Sequence, residues 1–205
     1  MVWKKNTESE DNNTMNKRRI TAEDLYDLEV LLDCQISPDG EKIIYVLQTV
    51  DKESEKKFSH LWLLSIENGD SVQLTFGKHN NSHPRWSPDG TWIAFFSDRE
   101  GKNQAQLFLL PLTGGEARPL TDLYGDLGDF DWSPDSKKIV FQFRQHDQED
   151  IDLQRDEKKK DLGRVSRRID NRLFYKLDAY GYLPKARYHL WTVDINSQEL
   201  KQLTD

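Results

Sequence analysis

Short apolar runs separated by turn-forming residues recur along the chain. Three of them have the length of a β-strand and are rich in β-branched and aromatic residues: KIIYVLQ (42–48), WIAFFS (92–97) and KIVFQF (138–143). Each run follows a nearly identical segment of five residues: ISPDG (36–40), WSPDG (86–90) and WSPDS (132–136). The pattern predicts strands that are each preceded by the same turn.

The repeated segment has the chemistry of a type I β-turn. Ser can bond to the nearby backbone, Pro presets φ at the second position, and Gly is favoured at the fourth. Because Pro keeps its predecessor out of the helical region, the residues before it are predicted to end a strand. Asp39, Asp89 and Asp135 could alternatively form a carboxylate set for metal binding or catalysis. Turn chemistry explains every residue of the segment, so we interpret the three carboxylates as turn residues.

A longer repeat lies downstream of each turn. The segments 60–75, 106–121 and 189–204 match position by position, each with an apolar strand, a polar turn and a second strand that ends in Leu-Thr. The first two Leu-Thr pairs are 46 residues apart and the next two are 83 apart, so the third unit carries an insertion. Self-similarity at this period, with several short strands per unit, is typical of a β-propeller.

The sequence therefore predicts an all-β fold, a partial β-propeller of about three four-stranded blades. In WIAFFS, Trp92, Ala94 and Phe96 share one face, and Ile93 and Phe95 share the other. A strand that is apolar on both faces needs cover on both, which packing between blades provides.

The predicted boundaries follow from the repeats. A polar, flexible tail precedes a short helix at about 22–28, for which Thr21 is the N-cap and Asp24 occupies the capping-box position. The predicted divisions are the tail at 1–19, the partial propeller at 20–205, blade 1 at about 30–75, blade 2 at about 82–121, blade 3 at about 128–204 and the insertion at about 144–187.

The insertion has two halves of different character. The first is almost entirely charged or polar, and we expect proteases to cut it first, at 147–165. In the second half, at 167–182, basic residues alternate with aliphatic and aromatic ones. The basic residues are Arg167, Arg168 and Arg172, and the others are Ile169, Leu173, Phe174, Tyr175, Tyr180 and Tyr182. Such a cluster could bind nucleic acid or an anionic ligand. Alternatively, the aromatic rings pack on a blade edge and the arginines meet the acidic first half, which we favour because the whole chain is acidic.

Composition narrows the function classes. The net charge of −7 and the pI near 5.3 argue against a general nucleic-acid binder. No apolar run is long enough to span a membrane, and residues 1–19 lack the apolar segment of a secretion signal. Cys34 is the single cysteine, which suits a reducing cytoplasm. His79 and His83 lie in a polar segment that we expect to be a solvent-exposed loop. We expect no cofactor and no metal.

At the level of whole segments, the chain resembles a known family. ITAEDLYDLEVLLDCQISPDGEKIIYV (20–46), PRWSPDGTWIAFFSDREGKNQAQLFLLPLTGGEARPLT (84–121) and RRIDNRLFYKLDAYGYL (167–183) are similar in order and spacing to acylaminoacyl-peptidase-like members of the prolyl oligopeptidase family. The resemblance implies a propeller, typically of seven blades, that precedes a catalytic α/β-hydrolase domain and limits access to it. The serine, aspartate and histidine of catalysis would all belong to that second domain, and the substrates would be peptides.

The chain departs from this family in one respect. It ends at Asp205, after the third Leu-Thr, and contains no G-x-S-x-G nucleophile motif. We therefore expect a truncated product, a fragment or one part of a split peptidase, inactive alone and with no catalytic, cofactor-binding or metal-binding residue. Its partners would be the remaining blades and the hydrolase domain. The alternatives are a stand-alone binding propeller like that of the Tol system, and a non-functional remnant.

The missing blades suggest self-association. Three blades cannot close a ring, so one face of the first unit and one of the third would be uncovered. We expect these faces to include apolar side chains of 42–48 and 138–143 and to make the isolated chain associate.

Overall fold

A computed structural model describes residues 18–100, 104–146 and 186–205, together with the backbone of two short strands at 176–177 and 181–182. Most of the described elements are strands. In chain order they are a 3₁₀ helix at Ala22–Asp27, then β1 Val30–Ile36, β2 Lys42–Asp51, β3 Lys56–Ser65, β4 Ser71–Gln73, β5 Asn81–Trp86, β6 Trp92–Ser97, β7 Gln106–Pro111, β8 Arg118–Pro119, β9 Gly125–Trp132, β10 Lys138–Gln145, β11 Lys176–Leu177, β12 Gly181–Tyr182, β13 His189–Asp194 and β14 Leu200–Gln202.

Three antiparallel sheets of four strands confirm the predicted all-β propeller fold. Their strand orders are β1-β2-β3-β4, β5-β6-β7-β8 and β9-β10-β13-β14, and we call these sheets blades 1, 2 and 3. In each blade the strands follow one another as a meander, although the insertion interrupts blade 3 between β10 and β13. The strands β1, β5 and β9 are the innermost, and β5 lies beside both of the others.

Blade 2 is covered on both faces, as the pattern of WIAFFS predicts. Ile93 and Phe95 are fully buried against Ile44 and Val46 of blade 1. On the opposite face, Ala94 is fully buried in a second core shared with blade 3. The blade 3 members of that second core are Phe130, Trp132, Ile139, Phe141, Phe143, Val193 and Ile195. The hydrophobic interior therefore consists of two cores, one at each interface between neighbouring blades. These two interfaces are called seams below.

Tryptophan side chains link the innermost strands of successive blades. The indole of Trp86, which precedes the turn of blade 2, donates to the carbonyl of Gln35 in blade 1 at 3.2 Å. The indole of Trp132, at the same position of blade 3, donates to the carbonyl of Arg85 in blade 2 at 3.2 Å. Gln35 and Arg85 also occupy equivalent positions, so the contact repeats with the blades.

The predicted N-terminal helix is present, but it is a 3₁₀ helix that ends at Asp27. The backbone N–H of Thr21 donates to the carboxylate of Asp24 at 2.7 Å, which is the predicted reciprocal contact of a capping box. Within the described residues, no helix is long and apolar enough to cross a membrane. The expectations for 1–17 and for the charged and basic-aromatic halves of the insertion lie outside the described residues.

We expect the indole contacts to contribute measurably to stability. Replacing Trp132 by Phe removes the donor and leaves the carbonyl of Arg85 without this bond, and Trp86→Phe does the same at the other seam. Each variant should lower the free energy of unfolding by about 1 kcal/mol more than Trp92→Phe, measured by denaturant unfolding. Trp92 is a matched control because its indole donates no hydrogen bond within the described part of the chain, although its ring packs on a core. Equal losses in all three variants would contradict a specific role of the bonds.

Candidate functional site

The repeated turns close as the sequence predicts. In each, the backbone N–H of the fourth residue donates to the carbonyl of the first at 2.9 Å: Gly40 to Ser37, Gly90 to Ser87 and Ser136 to Ser133. The Asp carboxylate of each turn accepts the hydroxyl of that Ser and the backbone N–H two residues further on. Each of the three carboxylates is thus engaged inside its own turn and holds the turn together.

These hydrogen bonds favour the ionised form of each carboxylate. The Ser37 hydroxyl lowers the pKa of Asp39, and the Ser133 hydroxyl lowers the pKa of Asp135. At Asp89 burial would raise the pKa, but the hydrogen bonds outweigh it and the pKa is lowered. The shared cause is a turn geometry that directs donors at the carboxylate.

Ser136 explains why the third turn departs from Ser-Pro-Asp-Gly. Its backbone is left-handed, with φ of 58°, a conformation that favours glycine. Its hydroxyl oxygen, however, accepts the backbone N–H of Asp89 at 3.1 Å. The serine therefore joins the turn of blade 3 to the turn of blade 2, a contact that glycine cannot make.

A second repeated feature lies on the innermost strands, where each has a β-bulge. The pairing register shifts between Leu31 and Asp33 in β1, between Ser82 and Arg85 in β5, and opposite Gln142 in β9. Bulges re-aim side chains and are frequent beside functional sites. The bulges place three side chains at equivalent positions, four residues before the Ser of each turn. These three residues, Asp33, His83 and Asp129, are called the bulge cluster below.

A chain of polar contacts joins the bulge cluster across the three blades. The guanidinium of Arg85 donates to Asp33 Oδ2 at 2.9 Å and lies 3.1 Å from Nδ1 of His83. Nε2 of His83 is 2.6 Å from Oδ1 of Asp129, within ion-pair distance but not aligned as a hydrogen bond. Contacts therefore run from blade 1 through blade 2 to blade 3.

The surroundings of His83 restrict its position. Its backbone is left-handed, with φ of 55°, although it is not glycine. Its ring stacks on Phe96, with centroids 5.8 Å apart, and meets Phe130 edge-on at 5.2 Å. Because Arg85 can only donate, Nδ1 is the acceptor in this contact, and Nε2 faces Asp129.

The expectation that His83 is a solvent-exposed loop residue is wrong. It belongs to β5, its side chain is only 26% exposed, and it lies at the seam between blades 2 and 3. The bulge is the reason, since it turns the side chain of a polar segment towards the neighbouring blade. His79 lies outside the strands and is partly exposed, and Cys34 is a free, exposed thiol on β1.

A cavity of about 490 Å³ opens beside the bulge cluster. Asp33, Ser82, His83 and Asp129 line it, together with apolar side chains. Among the described contacts, no hydrogen bond joins Ser82 to His83, so these residues do not form a nucleophile–base relay. No three His, Cys, Asp or Glu side chains of the described residues are placed to hold a metal ion. The arrangement can present charge and hydrogen-bonding groups along the inner wall of the propeller.

The sequence offered a signal for this cluster. Counted from the Ser of each turn, Asp33, His83 and Asp129 occupy the same repeat position. Arg85 carries no such signal, because its carboxylate partner, Asp33, is remote in sequence.

Comparisons with known proteins agree with this architecture. A model of the TolB beta propeller domain matches residues 13–169. The chain is 37% identical over 188 residues to the uncharacterized peptidase YuxL of Bacillus subtilis, covering 92% of this chain and 28% of that protein. It is 27% identical over 165 residues to dipeptidyl-peptidase 5 of Porphyromonas endodontalis, covering 80% and 23%. The chain thus spans about a quarter of the length of the curated relatives it matches.

Solved structures place the same fold in a larger protein. The acylaminoacyl peptidase of Pyrococcus horikoshii superposes with a TM-score of 0.69 at 19% sequence identity. The superposition covers 88% of this chain and 26% of that one. At this level of identity the likeness establishes the fold.

The turn carboxylates predict a dependence of stability on acid. Because their folded pKa values are lowered, their contribution is complete above about pH 4 and is lost as the pH falls through those values. Replacing Asp39, Asp89 and Asp135 together by Asn should make unfolding less dependent on pH between about 5 and 2. Denaturant unfolding at a series of pH values measures this. Asp131→Asn, whose carboxylate takes no part in these turns, is the control, and an unchanged pH profile of the triple variant would contradict the assignment.

Proposed function

The chain belongs to the TolB β-propeller domain family, and on that premise we propose that it forms part of the propeller of a serine-type peptidase that acts on peptides. The observation that carries the proposal is the match to peptidases over most of this chain and about a quarter of theirs. In this role the three blades are part of a wall that restricts which substrates reach a catalytic centre. A separate α/β-hydrolase domain contributes that centre, since the 205 residues contain no G-x-S-x-G motif.

The open face of blade 1 supports membership of a larger ring. This face, turned away from blade 2, carries the half-buried side chains Ile43 and Tyr45 on β2 and Trp62 and Leu64 on β3, by the alternation and pairing of the strands. The equivalent positions in blades 2 and 3 are apolar and are covered by the preceding blade. The same residue character at an uncovered position favours a further blade as its neighbour.

The open face of blade 3 differs from the expectation. The large apolar side chains of 138–143, Ile139, Phe141 and Phe143, are buried against blade 2. The alternate positions of β10, which face away, hold a half-buried Val140 and an exposed Gln142. The prediction of an apolar open face is therefore wrong for this strand, because its apolar side chains occupy the alternate face.

We also propose a cytoplasmic location and peptides as substrates. The exposed, unpaired thiol of Cys34 suits a reducing compartment. A stand-alone binding propeller remains the rival function, and the experiments below separate the two.

An activity probe tests the peptidase proposal. A fluorophosphonate should label the natural gene product on a serine outside residues 1–205 and should leave the isolated 205-residue chain unlabelled, because an activated serine is required. Mass spectrometry of the labelled peptide identifies the site. Labelling of a serine within the 205 residues, or a natural product that is never labelled, would contradict the proposal.

The open face of blade 1 should cause the isolated chain to associate. Trp62→Glu places a charge on this face and should shift the chain towards monomer, as measured by sedimentation at micromolar concentration. Gln142→Glu places the same charge on the exposed face of blade 3 and is the matched control. A chain that is monomeric before any substitution, or that responds equally to both, would show that this face is not the contact.

A further inference from the structure

We propose that Arg85 and the bulge cluster form one coupled chain of side chains across the three blades, with the imidazole of His83 as its junction. The proposal concerns the blades themselves and does not depend on the peptidase assignment.

Side-chain contacts connect the two seams. Arg85 and His83 lie on the same strand, yet they reach in opposite directions: Arg85 to Asp33 in blade 1 and His83 to Asp129 in blade 3. The seam between blades 1 and 2 and the seam between blades 2 and 3 therefore share one contact, the 3.1 Å approach of Arg85 Nη2 to His83 Nδ1. This contact is the link through which the side chains of Asp33 and Asp129 are joined in the chain.

The contact between Arg85 and His83 has a chemical requirement. A guanidinium has donors only, so the contact needs an unprotonated Nδ1. The same ring presents Nε2 to Asp129, so one imidazole spans both contacts. Loss of the ring should therefore divide the chain into two separate groups, one at each seam.

Neighbouring side chains confine the ring of His83. The charged groups that face His83 from the surrounding described elements are Asp129 on β9 and Arg85 on its own strand, with Asp33 on β1 behind Arg85. The rings of Phe96 and Phe130 occupy its other sides. Since the ring is held between aromatic side chains and its backbone is bulged, His83 has little freedom to find another partner for Nδ1.

A double-mutant cycle in the full chain tests the coupling. Asp33→Asn and Asp129→Asn keep the side-chain shapes and remove the charges at the two ends. At pH 7.5 their effects on the unfolding equilibrium constant should depart from additivity by about threefold, although the residues belong to different seams. Additivity at pH 7.5 would overturn the proposal.

Two further measurements isolate the junction. In a His83→Asn background, which tolerates the left-handed backbone, the cycle should be additive at pH 7.5, and coupling that persists there would also overturn the proposal. His79→Asn, four residues away and outside the chain of contacts, should leave the coupling intact. In the unsubstituted protein, long-range ¹H–¹⁵N NMR of His83 at pH 7.5 should show a protonated Nε2 and an unprotonated Nδ1. A proton on Nδ1 at that pH would refute the proposal whether or not the variants fold.

Discussion

The packing of one twisted sheet against the next is the interaction on which this structure depends. A four-stranded blade with apolar side chains on both faces cannot bury them alone, because only a neighbour on each side removes both from water. Blade 2 meets this condition, with Ile93 and Phe95 buried on one face and Ala94 on the other. Blades 1 and 3 are each covered by blade 2 on one face, which explains why both hydrophobic cores lie between blades.

The repeated five-residue segment contributes to this packing in two ways. Its Ser, Pro and Asp close the turn between the first two strands of a blade, a purely local task. Its Trp carries a donor across the seam to the innermost strand of the preceding blade, as Trp86 and Trp132 do. The residues that close the turn and the Trp that bonds to the preceding blade are thus adjacent in sequence. Where the segment recurs with its Trp, the hydrogen bond between blades recurs as well.

This division explains what could be predicted from the sequence. The turns, the strands and the faces of β6 follow from local chemistry and from alternation, and they were predicted correctly. The bulge in β5 was not, because it depends on pairing with β6 and on the neighbouring blades. The prediction that His83 lies in an exposed loop was consequently wrong, and the contacts of Arg85 and Asp129 were not predicted. The role of the Ser136 hydroxyl does not follow from the segment alone, because its partner, the backbone N–H of Asp89, lies in another blade.

The register of the repeat also distinguishes the two open faces. At the position of Trp86 and Trp132, blade 1 has Ile36, which is 61% exposed and has no hydrogen-bond donor in its side chain. A blade that covers blade 1 would therefore be held there by apolar packing, without the indole bond found at the two seams of this chain. Blade 3 presents Val140 and Gln142 on β10 and so offers a more polar surface. The two faces thus differ in chemistry, and a direct pairing of one with the other would set Gln142 against apolar side chains without a partner, at a cost that apolar blade-to-blade packing avoids.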